Sequence, residues 1–154
     1  PALLMPRLFQ PKPASRRYKL GIIPHYYKDR YNPLLKKYED NDDILIIDIC
    51  KGIEDVVTDI CSCDIIASSS LHGLICADAY GIPNVWLEFS STVLGHGFKF
   101  KDYFESIGRF GESPLIVTAE TSSDEIMARV KDDRPDIDVT ALWDACPFKV
   151  DFLD

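Results

Sequence analysis

The residues best suited to chemistry stand in one short stretch, Ser68-Ser69-Ser70-Leu71-His72-Gly73, where three hydroxyls precede a histidine. The residues around it define a strand-to-helix junction. Asp64-Ile65-Ile66-Ala67 is apolar after its first residue, as a buried parallel strand is. From Leu71 onward, Leu71, Leu74, Ile75 and Ala79 recur on one helical face. Gly81 suits a left-handed C-terminal cap, and Pro83 prevents the helix from resuming. A helix start gathers free N–H groups and the positive end of the dipole, so the junction suits an anion. A bound anion there favours a protonated His72, which makes this residue a general acid when substrate is present. The serines serve equally well as helix caps or as phosphate ligands, and the sequence leaves both open.

Three further groups join the list. His25 follows a strand directly and precedes Tyr26 and Tyr27, so it either lines a site or packs against those rings. Lys99 and Lys101 flank Phe100 in a segment punctuated by Gly95 and Gly97, a loop able to close over a ligand. Glu88 ends another apolar run and is a candidate base or hydroxyl ligand, whereas His96 reads as an ordinary loop residue.

Positioning these groups falls to an alternation of strands and helices. Strands are expected at Lys19–Ile23, Asp43–Asp48, Asp64–Ala67, Asn84–Phe89 and Pro114–Thr118. Helices are expected from Asn32-Pro33, over Ile53–Cys61 and Leu71–Ala79, around Asp102–Ile107, over Ser123–Val130 and over Thr140–Ala145. Five strands alternating with helices predict an α/β fold, a Rossmann-like parallel sheet of about five strands with helices on both faces. Ligands of such sheets bind beyond the carboxyl ends of the strands, at a topological switch point. That rule selects the loops His25–Arg30, Ser68–Gly73 and Glu88–Lys101, which are also those richest in His, Ser, Gly and Lys. Residues 1–18, with four prolines in the first thirteen, read as an extended linker; residues 19–148 are the domain, and 149–154 a tail.

Composition narrows the function. The 154 residues suffice for one hydrophobic core, and a net charge of −8 argues against nucleic acid, whose phosphates need a basic surface. The five cysteines are an odd number set in apolar runs, which points to reduced thiols and a reducing compartment. No second pair joins Cys61-Ser62-Cys63 at zinc-ligand spacing, so no metal is expected. No transmembrane segment is expected, and GxGxxG, GxxxxGK[ST] and GxSxG are all missing, so dinucleotide, P-loop and serine-hydrolase chemistry have no signal.

The segments LGIIPHYYKD, DIIASSSLHGLICADAYGIPNVWLEF and GFKFKDYFESIGR resemble, in order and spacing, the C-terminal half of the polysaccharide pyruvyl transferase family, from about Leu3 to Phe148. The resemblance implies a GT-B-like enzyme of two Rossmann-like halves facing a cleft, of which this chain is one and the N-terminal domain a missing partner. It implies transfer of a pyruvyl group from phosphoenolpyruvate, with no other cofactor, to hydroxyls of a sugar or lipid-linked oligosaccharide. The product is a ketal in surface polysaccharide, made in the cytoplasm at the inner face of the membrane. His72 matches the family's motif histidine, the general acid. Substrate contacts are expected from His25, Ser68, Ser69, Ser70, Gly73, Glu88 and Lys99. Well-studied members carry arginine where Ser70 stands; a serine lacks the bidentate guanidinium contact, so Lys99, with Arg30 in reserve, is expected to supply the charge. The isolated half is expected to be inactive. The same architecture also fits a glycosyltransferase using a nucleotide-sugar donor, or a non-catalytic ligand-binding domain.

Overall fold

Each apolar run becomes a strand, and in the computed structural model, which describes residues 2–12, 17–89, 97–130 and 137–146, the five strands form one parallel sheet. A 3-10 turn at Ala2–Leu4 and the short helix α1 (Met5–Leu8) lead into β1 (Tyr18–Ile23). A second 3-10 turn, Pro33–Leu35, opens α2 (Lys36–Glu39), and β2 (Ile44–Ile46) follows. Then come α3 (Ile53–Cys61), β3 (Cys63–Ser68), α4 (Leu71–Ala79), β4 (Asn84–Glu88) and α5 (Phe98–Ser106). The chain continues with β5 (Leu115–Ile116), α6 (Ser123–Ala128) and α7 (Thr140–Asp144).

The strand order is β2-β1-β3-β4-β5, every pairing parallel. The chain therefore moves outward from β1 to β2, crosses back to β3, and continues in that direction to β5. Right-handed crossovers put the connections of opposite direction on opposite faces. The core divides accordingly. Leu20, Ile22, Ala67, Val85 and Leu87 point to one face, against Leu35 of the turn before α2, Tyr38 of α2 and Ile126 of α6. Ile23 and Ile66 point to the other, against Val56 and Ile60 of α3 and Ala77 of α4. Trp86, the β4 residue between Val85 and Leu87, meets Leu74 of α4 and Phe100 and Phe104 of α5. Period-two alternation along each strand thus feeds two helical layers. Helices do cover both faces.

α4 ends as expected. Gly81 is left-handed at φ 66°, its N–H donates to Asp78 O at 3.0 Å, and the Ile82 N–H donates to Ala77 O at 2.8 Å. That is a Schellman closure.

Part of the segment expected to be an extended linker is helical. Residues 2–8 are helical, with Leu4 buried, and the Tyr80 hydroxyl donates to Phe9 O at 2.8 Å. The prolines misled because Pro6 falls in the first turn of α1, where its missing N–H costs nothing. Residues 13–16, His96, residues 131–136 and the tail 149–154 lie outside the described residues.

Candidate functional site

The switch point lies between β1 and β3, whose carboxyl ends are level: Ile23 is in register with Ser68. Directly past it, the chain is tied across the two strands by serine hydroxyls. The Ser68 hydroxyl lies 3.0 Å from Ile23 O and accepts the Ser70 N–H at 2.9 Å. The Ser69 N–H donates to Ile23 O at 3.1 Å, while its hydroxyl donates to Asp29 Oδ2 at 2.6 Å and accepts the His25 N–H at 2.9 Å. Ser69 therefore latches the loop after β1 to the end of β3. Gly73 lies below this latch: a Cβ there would stand 2.6 Å from Ser68 Oγ and 3.0 Å from a methyl of Ile23. Only glycine lets α4 approach the sheet so closely.

A cavity of about 210 Å³ opens at this point. His25, Lys28 and Asp29 from the loop after β1 line it, with Ser69 from the end of β3. The carboxyl end of β4 contributes Trp86, Leu87, Glu88 and Phe89, and α5 brings Lys99 and Phe100. The Trp86 and Phe100 rings stack at 4.6 Å and 10°. Gly97, just before α5, sits at φ 74°, and any Cβ there would meet the Trp86 ring at 2.6 Å. The lysine ammonium of Lys99 stands 5.3 Å from the Phe100 ring.

The cavity wall carries two lysines, Lys28 and Lys99, and two carboxylates, Asp29 and Glu88. His25 is held below its ordinary pKa, first by burial and then by the positive charge of Lys99, with Lys28 and His72 adding to it and Asp29 opposing. Its Nδ1 faces the backbone N–H groups of Tyr27 and Lys28, both at 3.4 Å, which leaves Nε2 to carry the proton of the neutral ring.

α5 is fixed behind the cavity by a buried polar clamp. Asp78 of α4 accepts from Asn84 Nδ2 at 2.6 Å and from the Tyr103 hydroxyl at 2.8 Å, and Arg109 donates to Asn84 Oδ1 at 2.9 Å. The Arg109 guanidinium lies over the Phe104 ring at 4.4 Å and 3.4 Å from Asp78 Oδ1. Burial raises the Asp78 carboxyl above its usual range, and raises the Tyr103 phenol likewise.

Four of the residues expected from sequence meet in the cavity: His25, Ser69, Glu88 and Lys99. Ser68, Ser70 and Gly73 do not line it. Ser68 is fully buried and spent on backbone partners, Ser70 is buried at the N-cap position, and Gly73 serves helix–sheet contact. No serine side chain caps α4. His72 sits exposed in the first turn of α4, outside the cavity wall but near enough to His25 to depress its protonation. Arg30 is committed to Asp48 at 2.7 Å, and Lys101 borders a separate depression with Arg109 and Glu112. Lys28, Asp29 and the Trp86–Phe100 floor were missed. Only Asp29 carried a readable signal, an acidic residue in a loop already selected by the switch-point rule.

Among the described residues no helix is long and apolar enough to cross a membrane, and no three of His, Cys, Asp and Glu gather as a metal site. Burial pushes the Cys61 and Cys76 thiols up to about 11 and Cys63 to about 12.

Comparison with known proteins agrees with the junction's motif. An uncharacterized protein of Acanthamoeba polyphaga mimivirus is 39% identical over 93 residues, covering 59% of this chain and 32% of that protein. The matched part is thus about a third of that relative's length. No solved structure matches. The family model described as polysaccharide pyruvyl transferase matches residues 5–91, from α1 through the end of β4, and stops before Lys99. That span contains both strands of the switch point, the Ser69 latch, His25 and His72, and on it the chain belongs to the polysaccharide pyruvyl transferase family.

Proposed function

We propose that this chain is the donor-binding half of a GT-B-like pyruvyl transferase, and that the switch-point cavity takes phosphoenolpyruvate. The observation carrying this reading is the cavity itself, small and bordered by Lys28, Lys99 and His25. At about 210 Å³ it falls below the 300–1,000 Å³ usual for drug-sized ligands, which suits a three-carbon phosphorylated acid better than a nucleotide sugar. Lys99 and Lys28 supply the positive charge that Ser70 cannot, as point charges rather than a bidentate fork.

In this reading the carboxylate and phosphate of the donor lie against Lys28, Lys99 and the Nε2–H of His25. The donor's methylene carbon is placed at the mouth of the cavity, where His72, exposed outside its wall, gives it a proton, and the adjacent carbon becomes oxocarbenium-like. One sugar hydroxyl adds there, losing its proton to a carboxylate, for which Glu88 is the candidate. Phosphate then leaves with the electrons of its carbon–oxygen bond and takes up the proton held by Glu88, and a second hydroxyl closes the ketal as its proton returns to His72. The acceptor is a sugar or lipid-linked oligosaccharide of surface polysaccharide, met at the cytoplasmic face of the membrane.

Calorimetric titration of the full-length protein with phosphoenolpyruvate and, separately, with UDP-glucose tests the donor. Phosphoenolpyruvate is expected to bind, and Lys99→Met to weaken it about tenfold, with the difference shrinking at high salt. Binding of UDP-glucose alone would remove the pyruvyl donor.

A further inference from the structure

Beside the cavity the loop after β1 exposes three tyrosines: Tyr26 at 59%, Tyr27 at 80% and Tyr31 at 86% of their surface. Phe98, next to Lys99, is exposed as well. Rings this exposed and this close in sequence offer their faces to a ligand. We infer that Tyr26, Tyr27 and Tyr31 form the platform on which the acceptor sugar stacks. This rests on the donor assignment above and adds to it a place for the second substrate.

Three observations support it. The cavity is too small for both reactants, so the acceptor must lie against its rim. The rim is continuous with the cavity through one residue: His25 lines the cavity and stacks on Tyr26 at 5.0 Å and 28°, and Tyr27 follows at 6.3 Å. The loop is also anchored rather than trailing, by Ser69 to Asp29 at 2.6 Å, by the Asp29 N–H to His25 O at 3.0 Å, and by Arg30 to Asp48 at 2.7 Å. The backbone that carries the rings is therefore held in place before anything binds, and Tyr26 is held further by its stack on His25.

The chemistry selects a sugar. A tyrosine offers a broad apolar face for the C–H face of a pyranose and a hydroxyl for the sugar's own hydroxyls. Lys28 and Arg30 interrupt the rings, so no continuous apolar strip is presented to a protein partner. The net charge of −8 disfavours stacked nucleic-acid bases.

The test is nitration of the full-length protein with tetranitromethane, read by peptide mass spectrometry. It is run alone, with phosphoenolpyruvate, and with methyl β-galactoside, methyl β-glucoside or methyl α-mannoside. Tyr26, Tyr27 and Tyr31 are expected to nitrate in the free protein while buried Tyr38 does not, and at least one glycoside is expected to protect them about tenfold. Phosphoenolpyruvate alone leaves them reactive. Tyrosines unreactive without sugar, which would mean that another part of the protein covers them, overturn the inference. So does the absence of protection by every glycoside. In Tyr27→Ala the affinity for the protecting glycoside is expected to fall about tenfold with phosphoenolpyruvate affinity unchanged. Equal loss of both overturns the platform. Normal glycoside protection without any phosphoenolpyruvate binding would instead count against the donor assignment alone.

Discussion

Ser69→Ala isolates the contact on which the site's geometry depends. The hydroxyl it removes donates to Asp29 Oδ2 at 2.6 Å and accepts the His25 N–H at 2.9 Å. Asp29 and Ser69 are 7% and 9% exposed, so water replaces the hydroxyl poorly at either partner. A hydrogen bond to a charged group is worth about 1.5–3 kcal/mol, and the backbone bond about 1 kcal/mol more. The variant should therefore lose about 3 kcal/mol, a sizeable part of the 5–15 kcal/mol typical of a domain. For a domain of this size that corresponds to a melting temperature lower by roughly 6–12 °C. Urea unfolding followed by tryptophan fluorescence measures it, with the midpoint moving and the slope unchanged. Ser69→Thr, which keeps the hydroxyl, should recover most of the loss. Phosphoenolpyruvate affinity should fall with the first variant and return with the second, because His25, Lys28 and Asp29 all travel on the loop that Ser69 holds. A Ser69→Ala protein within about 0.5 kcal/mol of wild type would refute the latch, since surface changes of no consequence have that size.

Two further outcomes are expected. By NMR titration, His25 should ionise below its ordinary value of 6.5 in the free protein, and phosphoenolpyruvate should move the transition upward by offsetting Lys99 and Lys28. The folded state resists protonating this ring, so its contribution to stability is complete above the unfolded pKa and is lost as pH falls below it; a bound anion reduces that loss. An unmoved His25 resonance would take the anion out of the cavity. Gly73→Ala should destabilise by about 1–2 kcal/mol in chemical denaturation, since the added methyl must displace Ser68 Oγ and Ile23, and the gain in helix propensity of about 1 kcal/mol offsets only part of the cost. A more stable Gly73→Ala protein would show that α4 has room to shift.

The fold was readable because its strands are apolar runs with clear ends. β1 and β3 each came within a residue of their expected starts, and α3 and α4 fell on their expected spans. The strand order β2-β1-β3-β4-β5 was not legible in the same way, because apolar runs do not say which strands pair. What the sequence could not convey was direction. His72 and Ser69 are three residues apart in one motif, yet Ser69 turns into the cavity wall and His72 turns out to solvent. The serines illustrate the same limit. As a run of three they read as interchangeable caps or phosphate ligands, but β-strand alternation sends Ser68 inward, and only the break at the strand's end frees Ser69 to face the site. The helix at residues 2–8 escaped because four prolines suggested a linker, and its stability comes from packing on α4, which no local pattern announces.

The position of Ser70 gains a physical account. It is 5% exposed at the start of α4, between a strand end and a helix pressed onto the sheet by Gly73. The positive charge of the cavity wall comes from two other connections, with Lys28 after β1 and Lys99 at the start of α5. A lysine on α5 is useful only if α5 is fixed, and the Asp78–Asn84–Arg109–Tyr103 clamp fixes it to α4 and β4 behind the cavity. Burial raises the Asp78 carboxyl despite its three partners, so the clamp carries a real desolvation cost. A buried network of that cost is better explained by the position it enforces than by stability. In the proposed reading the donor is gripped from the cavity's flanks, and the clamp is what makes the second flank rigid enough to hold it.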